Sequence, residues 1–376
     1  MNRPPNERRA KPATATVFAE VSKVGFEHIG FNEAVVAEAI ERGDDVTLLA
    51  DRGHVARLTP GLECRIVHVP VQPVGGRFNS AGKYFLEMAS AVRSLLYARR
   101  AGARLVFLSA APSTLLFLAL LAAGLRARFT VFIHNELEMV ASPDNAAHHP
   151  TRAALLDRAF RLLRRSPAKL LCLSRSGTDF LSRHYPGLAV SYTPLPPNRD
   201  ARRFSHTQPA PASQPTFALV GTLGEAAINA NIRELCDLLD AHPARRRVRL
   251  EVVGGRALQA DTRERLQTSR GIDCQFVPAA SQDDYLRGIA QCDTALFLCS
   301  PRVYSVSASA VIVDVVSLRR EVFSLPCRYS EDMAAEHPVR LFGSLNELAL
   351  AIVDRVDAAA AVAQDGSAPH AAPQNH

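Results

Sequence analysis

The chain has 376 residues, the length of two ordinary domains, with 47% hydrophobic and 22% charged residues. That balance excludes a disordered chain, a collagen and a coiled coil as the main architecture. The formal net charge of +7, from 44 Lys+Arg against 37 Asp+Glu, permits a polyanionic partner without requiring one.

Residues 1–13 read as a disordered arm. ATVFAEV (15–21) reads as a strand, followed by a polar loop that contains Gly25. NEAVVAEAIERGDD (32–45) has helical spacing at Val35, Val36, Ala39 and Ile40, with Gly43 as its stop. VTLLA (46–50) and CRIVHVPV (64–71) are strands, and Ser90–Arg100 an amphipathic helix. RLVFLSA (104–110), a buried helix from Ser113, FTVFIHN (129–135) and an Arg-rich helix over 150–165 come next. KLLCLS (169–174) is a strand leading into a helix at RSGTDFLSRHY. Residues 193–215, rich in Pro, Ser and Arg, break this alternation and read as a linker. It then restarts: TFALVGTLG, a helix over 229–239, VRLEVVGG, DCQFVPA, a helix over 281–292, DTALFLCS, a helix over 309–318, EVFSL, and a last strand and helix in PVRLFGSLNELALAIVDRV. Strands alternating with helices imply α/β parallel sheets covered on both faces. The expected organisation is a first domain over 14–195, a linker over 196–215, a second domain over 216–357 and a disordered tail over 358–376.

Seven cysteines, an odd number without C-x-x-C spacing, argue against a disulfide framework or a structural zinc and suit a reducing compartment. No signal-peptide core follows the basic N-terminus, and the apolar run Leu115–Ala123 is shorter than the ~20 residues a spanning helix needs. A cytoplasmic protein is expected, with peripheral contact to the inner face of the plasma membrane allowed by Arg158, Arg161, Arg164 and Arg165. No metal site and no nucleic-acid motif is visible.

In open parallel sheets, ligands bind beyond the carboxyl ends of the strands. Four loops qualify. The first contains Gly25, where backbone can approach a phosphate or sugar, without the G-x-G-x-x-G spacing of a dinucleotide site. The second is His134-Asn135-Glu136, whose imidazole can bond a sugar hydroxyl. The third is Gly221-Thr222-Leu223-Gly224, with small residues and amides suited to a diphosphate and a hydroxyl on Thr222. The fourth, Ser300–Asp314, carries Arg302 and Tyr304, with Ser307 and Ser309 placed to cap a helix whose N-terminus suits phosphate, and Asp314 further along to reach a ribose. Each loop has a bland alternative: an ordinary turn, a surface His, an unliganded Gly turn, a Ser-capped helix with a solvated Asp.

The order of these pieces over about residues 14–355 resembles a GT-B glycosyltransferase, nearest the family-4 retaining group. GFEHIGFNEAVVAEAIERGDDVTLLA resembles that group's opening loop, helix and strand, and FTVFIHN its strand ending in a His that contacts the donor sugar. FALVGTLG resembles the Gly loop of its second domain, and SASAVIVDVVSLRREVFS its nucleotide-binding helix and strand. The resemblance implies two Rossmann-like domains across a cleft and metal-independent transfer from a nucleotide diphosphate sugar to a cell-surface glycan or glycolipid. It implies that His134 and Asp314 are catalytic. Gly25, Gly221, Thr222, Gly224, Arg302, Tyr304, Ser307, Ser309 and Ala310 then bind the donor, which is the substrate and leaves no separate cofactor. The chain departs from the pattern at Val306, where the first of two acids usually stands, and no Lys lies in 221–233. Arg233, Arg256 or Arg302 are the candidates to replace the missing cation. The alternatives are a non-catalytic partner of the same fold in a glycan assembly complex and, last, a nucleotide-sugar epimerase.

Overall fold

Short apolar runs, buried on both faces as parallel strands require, build the two halves of the chain. A computed structural model describes residues 14–24, 28–58, 62–71, 80–207, 214–221, 223–243, 246–254, 258–299 and 304–365. The chain divides into two units, one of residues 1–173 and 177–194, the other of residues 174–176 and 195–376.

The first unit contains β1 (Ala15–Glu20), β2 (Asp45–Ala50), β3 (Arg65–His68), β4 (Arg104–Ser109), β5 (Thr130–Ile133), β6 (Lys169–Cys172) and β7 (Val190–Tyr192). Their order is β3-β2-β1-β4-β5-β6-β7, all parallel, with Val17 opposite both Thr47 and Leu105. The second contains β8 (Thr216–Leu219), β9 (Val248–Val253), β10 (Ile272–Val277), β11 (Thr294–Phe297), β12 (Glu321–Ser324) and β13 (Val339–Leu341), in the order β10-β9-β8-β11-β12-β13. Each sheet grows outward in both directions from its first strand. Each therefore has one switch point, between β1 and β4 and between β8 and β11, the place where open parallel sheets bind ligands. Phe18, Phe107 and Phe160 anchor the first core, and Phe217 and Phe323 the second. Each fully buried ring contributes about 1.5–3 kcal/mol.

Several elements differ from the sequence reading for physical reasons. The helix expected from Ser90 spans Ser80–Ala101. Its extra turns look polar, but the buried Glu87 accepts a hydrogen bond from Thr114 (2.8 Å) and faces Lys83 (3.5 Å). The Asn135–Leu137 turn is a 3-10 turn rather than strand. β7 is an additional edge strand, largely exposed and so without an apolar run to announce it. Residues expected in the linker supply Ala201, fully buried, and the flanking Leu195 and Phe204 to the second core. The last helix, Leu345–Asp365, continues into the stretch expected to be a disordered tail, because AAAAVAQD is made largely of strong helix formers. The expected arm over 1–13 lies outside the described residues.

Candidate functional site

In the second unit, β8 is followed by buried Val220 and then Gly221, whose φ of +115° excludes a comfortable side chain. A Cβ at Gly221 would lie 3.9 Å from Phe297 Cε2, at the end of β11, and the Phe297 ring packs on Tyr304 with centroids 5.4 Å apart. Gly221 and Tyr304 thus both lie against the Phe297 ring, at the end of β11. Leu223 turns the loop by donating its N–H to the Gly221 carbonyl (2.9 Å). Asn229 holds the entry to the next helix, donating to the carbonyls of Leu223 (2.7 Å) and Glu225 (2.8 Å). Gly224 is exposed.

The segment after β11 enters the helix Ala310–Ser317 through Ser309. The sequence placed Ser309 as a capping side chain. It occupies the N-cap position, but its hydroxyl makes no capping bond. That hydroxyl is buried with no hydrogen-bond partner among the described residues, in a side chain 2% exposed. Ser307 is buried beside it in the chain, and Ala310 is exposed. A helix N-terminus offers unbonded N–H groups and a positive dipole end, so a buried hydroxyl there is one more donor for an anion.

Asp314, one turn into this helix, is 9% exposed rather than solvated. Burial pushes its carboxyl up to about 7, and a hydrogen bond with Asn198 pulls it part of the way back. The Tyr285 hydroxyl, buried without a hydrogen-bond partner, is pushed well above the usual phenol range by burial, then by the charges of Asp314 and Tyr304. Tyr285 rises from the helix Gln282–Ala290 and packs under the left-handed Gly254 that ends β9, whose Cβ would lie 3.9 Å from its ring. Asn198 and Tyr285 were missed from sequence. One sits in an apparent linker, and the other has the spacing of an ordinary amphipathic helix.

Of the residues named as replacement cations, Arg233 is taken up by Asp261 (3.0 Å) and Thr262 (2.8 Å). Arg256, Arg302, Thr222 and Gly25 lie outside the described residues.

In the first unit the switch point is already filled. Glu20, fully buried at the end of β1, accepts from the Ser22 N–H (3.1 Å), the Lys23 N–H (3.0 Å), the Ser109 hydroxyl (2.5 Å) and the Asn32 amide (3.1 Å). One strand over, His134 follows β5 and donates its Nε2–H to the Leu108 carbonyl (2.8 Å). That bond leaves Nδ1 with a lone pair in the neutral ring. His28, which sequence reasoning passed over, stacks on His134 with centroids 4.2 Å apart, and Phe31 closes edge-on at 4.8 Å. His28 holds a left-handed φ of +60°, and its Nδ1 is buried without a hydrogen-bond partner. Burial, and then His134, Lys23 and His54, hold His28 well below the usual imidazole range; burial also lowers His134. The pair is neutral at physiological pH, and strain of this kind in a non-glycine residue tends to gather at working sites.

No family model matches the chain, and no curated protein matches it in sequence. Solved structures match along nearly its whole length. HepE of Anabaena, solved in complex with UDP, shares 14% identity over 94% of this chain and 95% of its own, with a TM-score of 0.58. A glycosyltransferase from Rickettsia africae shares 10% over 94% of both chains, at 0.57. The UDP-GlcNAc 2-epimerase of Methanocaldococcus jannaschii shares 11% over 91% of this chain and 92% of its own, at 0.51. Likeness at such low identity is likeness of architecture, and the architecture, two doubly wound parallel-sheet units in one chain, is the GT-B fold.

Proposed function

We propose that the chain is a glycosyltransferase whose second unit holds a nucleoside diphosphate sugar. The observation that carries this reading is the Ser309 hydroxyl, buried and unbonded at a helix N-terminus beside the β8/β11 switch point. Leaving such a group unsatisfied costs about 1–3 kcal/mol, and a phosphate oxygen would remove that cost. In this reading the diphosphate lies on Ser307, Ser309, Ala310 and the amides of the Gly221-Thr222-Leu223-Gly224 loop. Asp314 accepts the ribose hydroxyls, with Tyr304 beside the nucleoside. His134 and Gly25 are kept from the sequence resemblance as sugar-binding residues of the first unit. Amide dipoles and Arg302 stabilise the departing diphosphate without a metal. The first unit takes the acceptor, a cell-surface glycan or lipid-linked saccharide, in polysaccharide biosynthesis at the cytoplasmic face of the membrane. The retaining course is kept from the sequence resemblance, so the neutral imidazoles of His28 and His134 serve as hydrogen-bonding groups.

Capture of Arg233 by Asp261 and Thr262 favours a second reading, a non-catalytic partner of the same fold, because no other Lys or Arg lies in 221–233. One assay separates the readings: release of nucleoside diphosphate from uridine, guanosine and thymidine diphosphate sugars, with and without a lipid-linked saccharide, followed by NMR of the anomeric centre. Acceptor-dependent release with retained configuration is expected. Binding without turnover favours the partner, isomerised donor without acceptor favours an epimerase, and neither binding nor turnover sinks all three.

A further inference from the structure

At the edge of the first sheet opposite the His28–His134 pair, the amino ends of β4 and β5 meet the carboxyl ends of two helices, Ser80–Ala101 and Pro112–Leu125. Between them lies a cavity of about 480 Å³, within the range of small-ligand sites. Leu95, Leu96, Leu105 and Leu121 wall it, and no aromatic side chain lines it. Leu125 stands at its rim, 75% exposed, and Leu96 is 49% exposed. Such a concentration of open apolar surface on a helix pair marks a surface that is covered in use.

The lining also contains Arg99, Arg126 and Arg128. All three are exposed, and among the described residues none has a carboxylate partner. The sequence explains why: residues 88–135 hold no Asp or Glu but six Arg, at 93, 99, 100, 104, 126 and 128. Of the arginines first suspected of meeting lipid, two are engaged within the fold. Arg161 is paired with Asp157 (2.7 Å), and Arg164 donates to the Pro186 carbonyl (2.7 Å). An apolar slot bordered by unpaired guanidiniums is complementary to an apolar chain bearing an anionic head. A nucleic acid strand would want aromatic faces for stacking.

We propose that this cavity takes one acyl chain of an anionic phospholipid at a membrane surface, with Arg99, Arg126 and Arg128 on its phosphate. The acyl chain passes from one apolar medium to another, so the cavity fixes where the lipid sits while the basic cluster supplies the attraction to an anionic surface. The site is independent of the transfer reading and stands whether or not the second unit binds a donor.

Vesicle flotation of the unaltered chain is the first test. It should float with equimolar phosphatidylcholine and phosphatidylglycerol and not with phosphatidylcholine alone. Because the chain has no Trp, Leu125→Trp adds a single reporter at the rim, and bromine-labelled acyl chains should quench it. Combined Arg99→Ala, Arg126→Ala and Arg128→Ala should weaken flotation by about fivefold per guanidinium removed. Ala127→Phe, which fills the slot from a loop and leaves every charge in place, should abolish the quenching in the Leu125→Trp background. Equal flotation with neutral vesicles would overturn the proposal. So would anionic binding that survives both the triple Arg variant and Ala127→Phe, each verified as folded by circular dichroism.

Discussion

Replacing Asp314 by Asn should make the second unit more stable and worse at binding nucleotide, and both effects stem from the burial of one carboxyl. Burial pushes Asp314 up to about 7 from an ordinary 3.8. At about 1.4 kcal/mol per pH unit, that gap corresponds to roughly 4 kcal/mol at most. The acid's pKa is raised on folding, so the folded chain keeps its proton after the unfolded chain has lost it. Below the unfolded value both states are protonated, and burial of the carboxyl carries no charge penalty. As pH rises from about 4 to about 7, stability drains away, and above that the loss is complete. Asn is the same size, stays neutral throughout and can still bond Asn198. Urea unfolding of the two proteins, followed by circular dichroism from pH 4 to 8, should give curves that coincide at the acid end and diverge by up to about 4 kcal/mol at the alkaline end, the variant being the more stable. The same change removes a charged acceptor, and charged hydrogen bonds contribute about 1.5–3 kcal/mol, so nucleoside diphosphate affinity should fall about tenfold to a hundredfold. Parallel pH curves, or a variant that loses stability at high pH, would refute the reasoning.

The same geometry predicts other outcomes. Affinity of the unaltered chain for a nucleoside diphosphate should rise as pH passes up through about 7, where Asp314 ionises, by more than it does in Asp314→Asn; calorimetry at several pH values checks this. Ser309→Ala should leave thermal stability unchanged or raise it, by about 1 kcal/mol or less, while weakening nucleotide binding by about tenfold. A fall in stability with affinity intact would make the hydroxyl a packing group. Gly271→Ala would put a Cβ 2.6 Å from the Leu239 carbonyl oxygen and should cost about 1–3 kcal/mol in unfolding of the second unit, read by urea titration. In nitrogen-15 NMR, His28 should remain neutral at a pH where an ordinary imidazole is half protonated, because burial, and then its neighbours His134, Lys23 and His54, oppose its charge.

The strands were legible because a strand covered on both faces must be apolar throughout. TVFAE, RLVFLS and TALF announced themselves in this way, and Gly43, with φ of +85°, marked a helix end as expected. β7 gave no such signal because its residues face solvent at the sheet's edge. The candidate site was legible only where one segment carries it. Ser309 and Asp314 share a helix and could be read together, whereas Asn198 and Tyr285 reach Asp314 from segments far away in sequence. Capture of Arg233 is likewise a matter of folding, since Asp261 lies 28 residues away. His28 was hidden because a left-handed His in a polar loop looks like any other loop residue until its ring is seen against His134.

A crystal structure of the chain with a nucleoside diphosphate at pH 8 would test the central claim most directly. The expected result is a diphosphate within hydrogen-bond distance of the Ser309 hydroxyl and the first amides of Ala310–Ser317, with ribose hydroxyls on Asp314. A nucleotide seated elsewhere, or a Ser309 hydroxyl still unbonded with nucleotide bound, would contradict it.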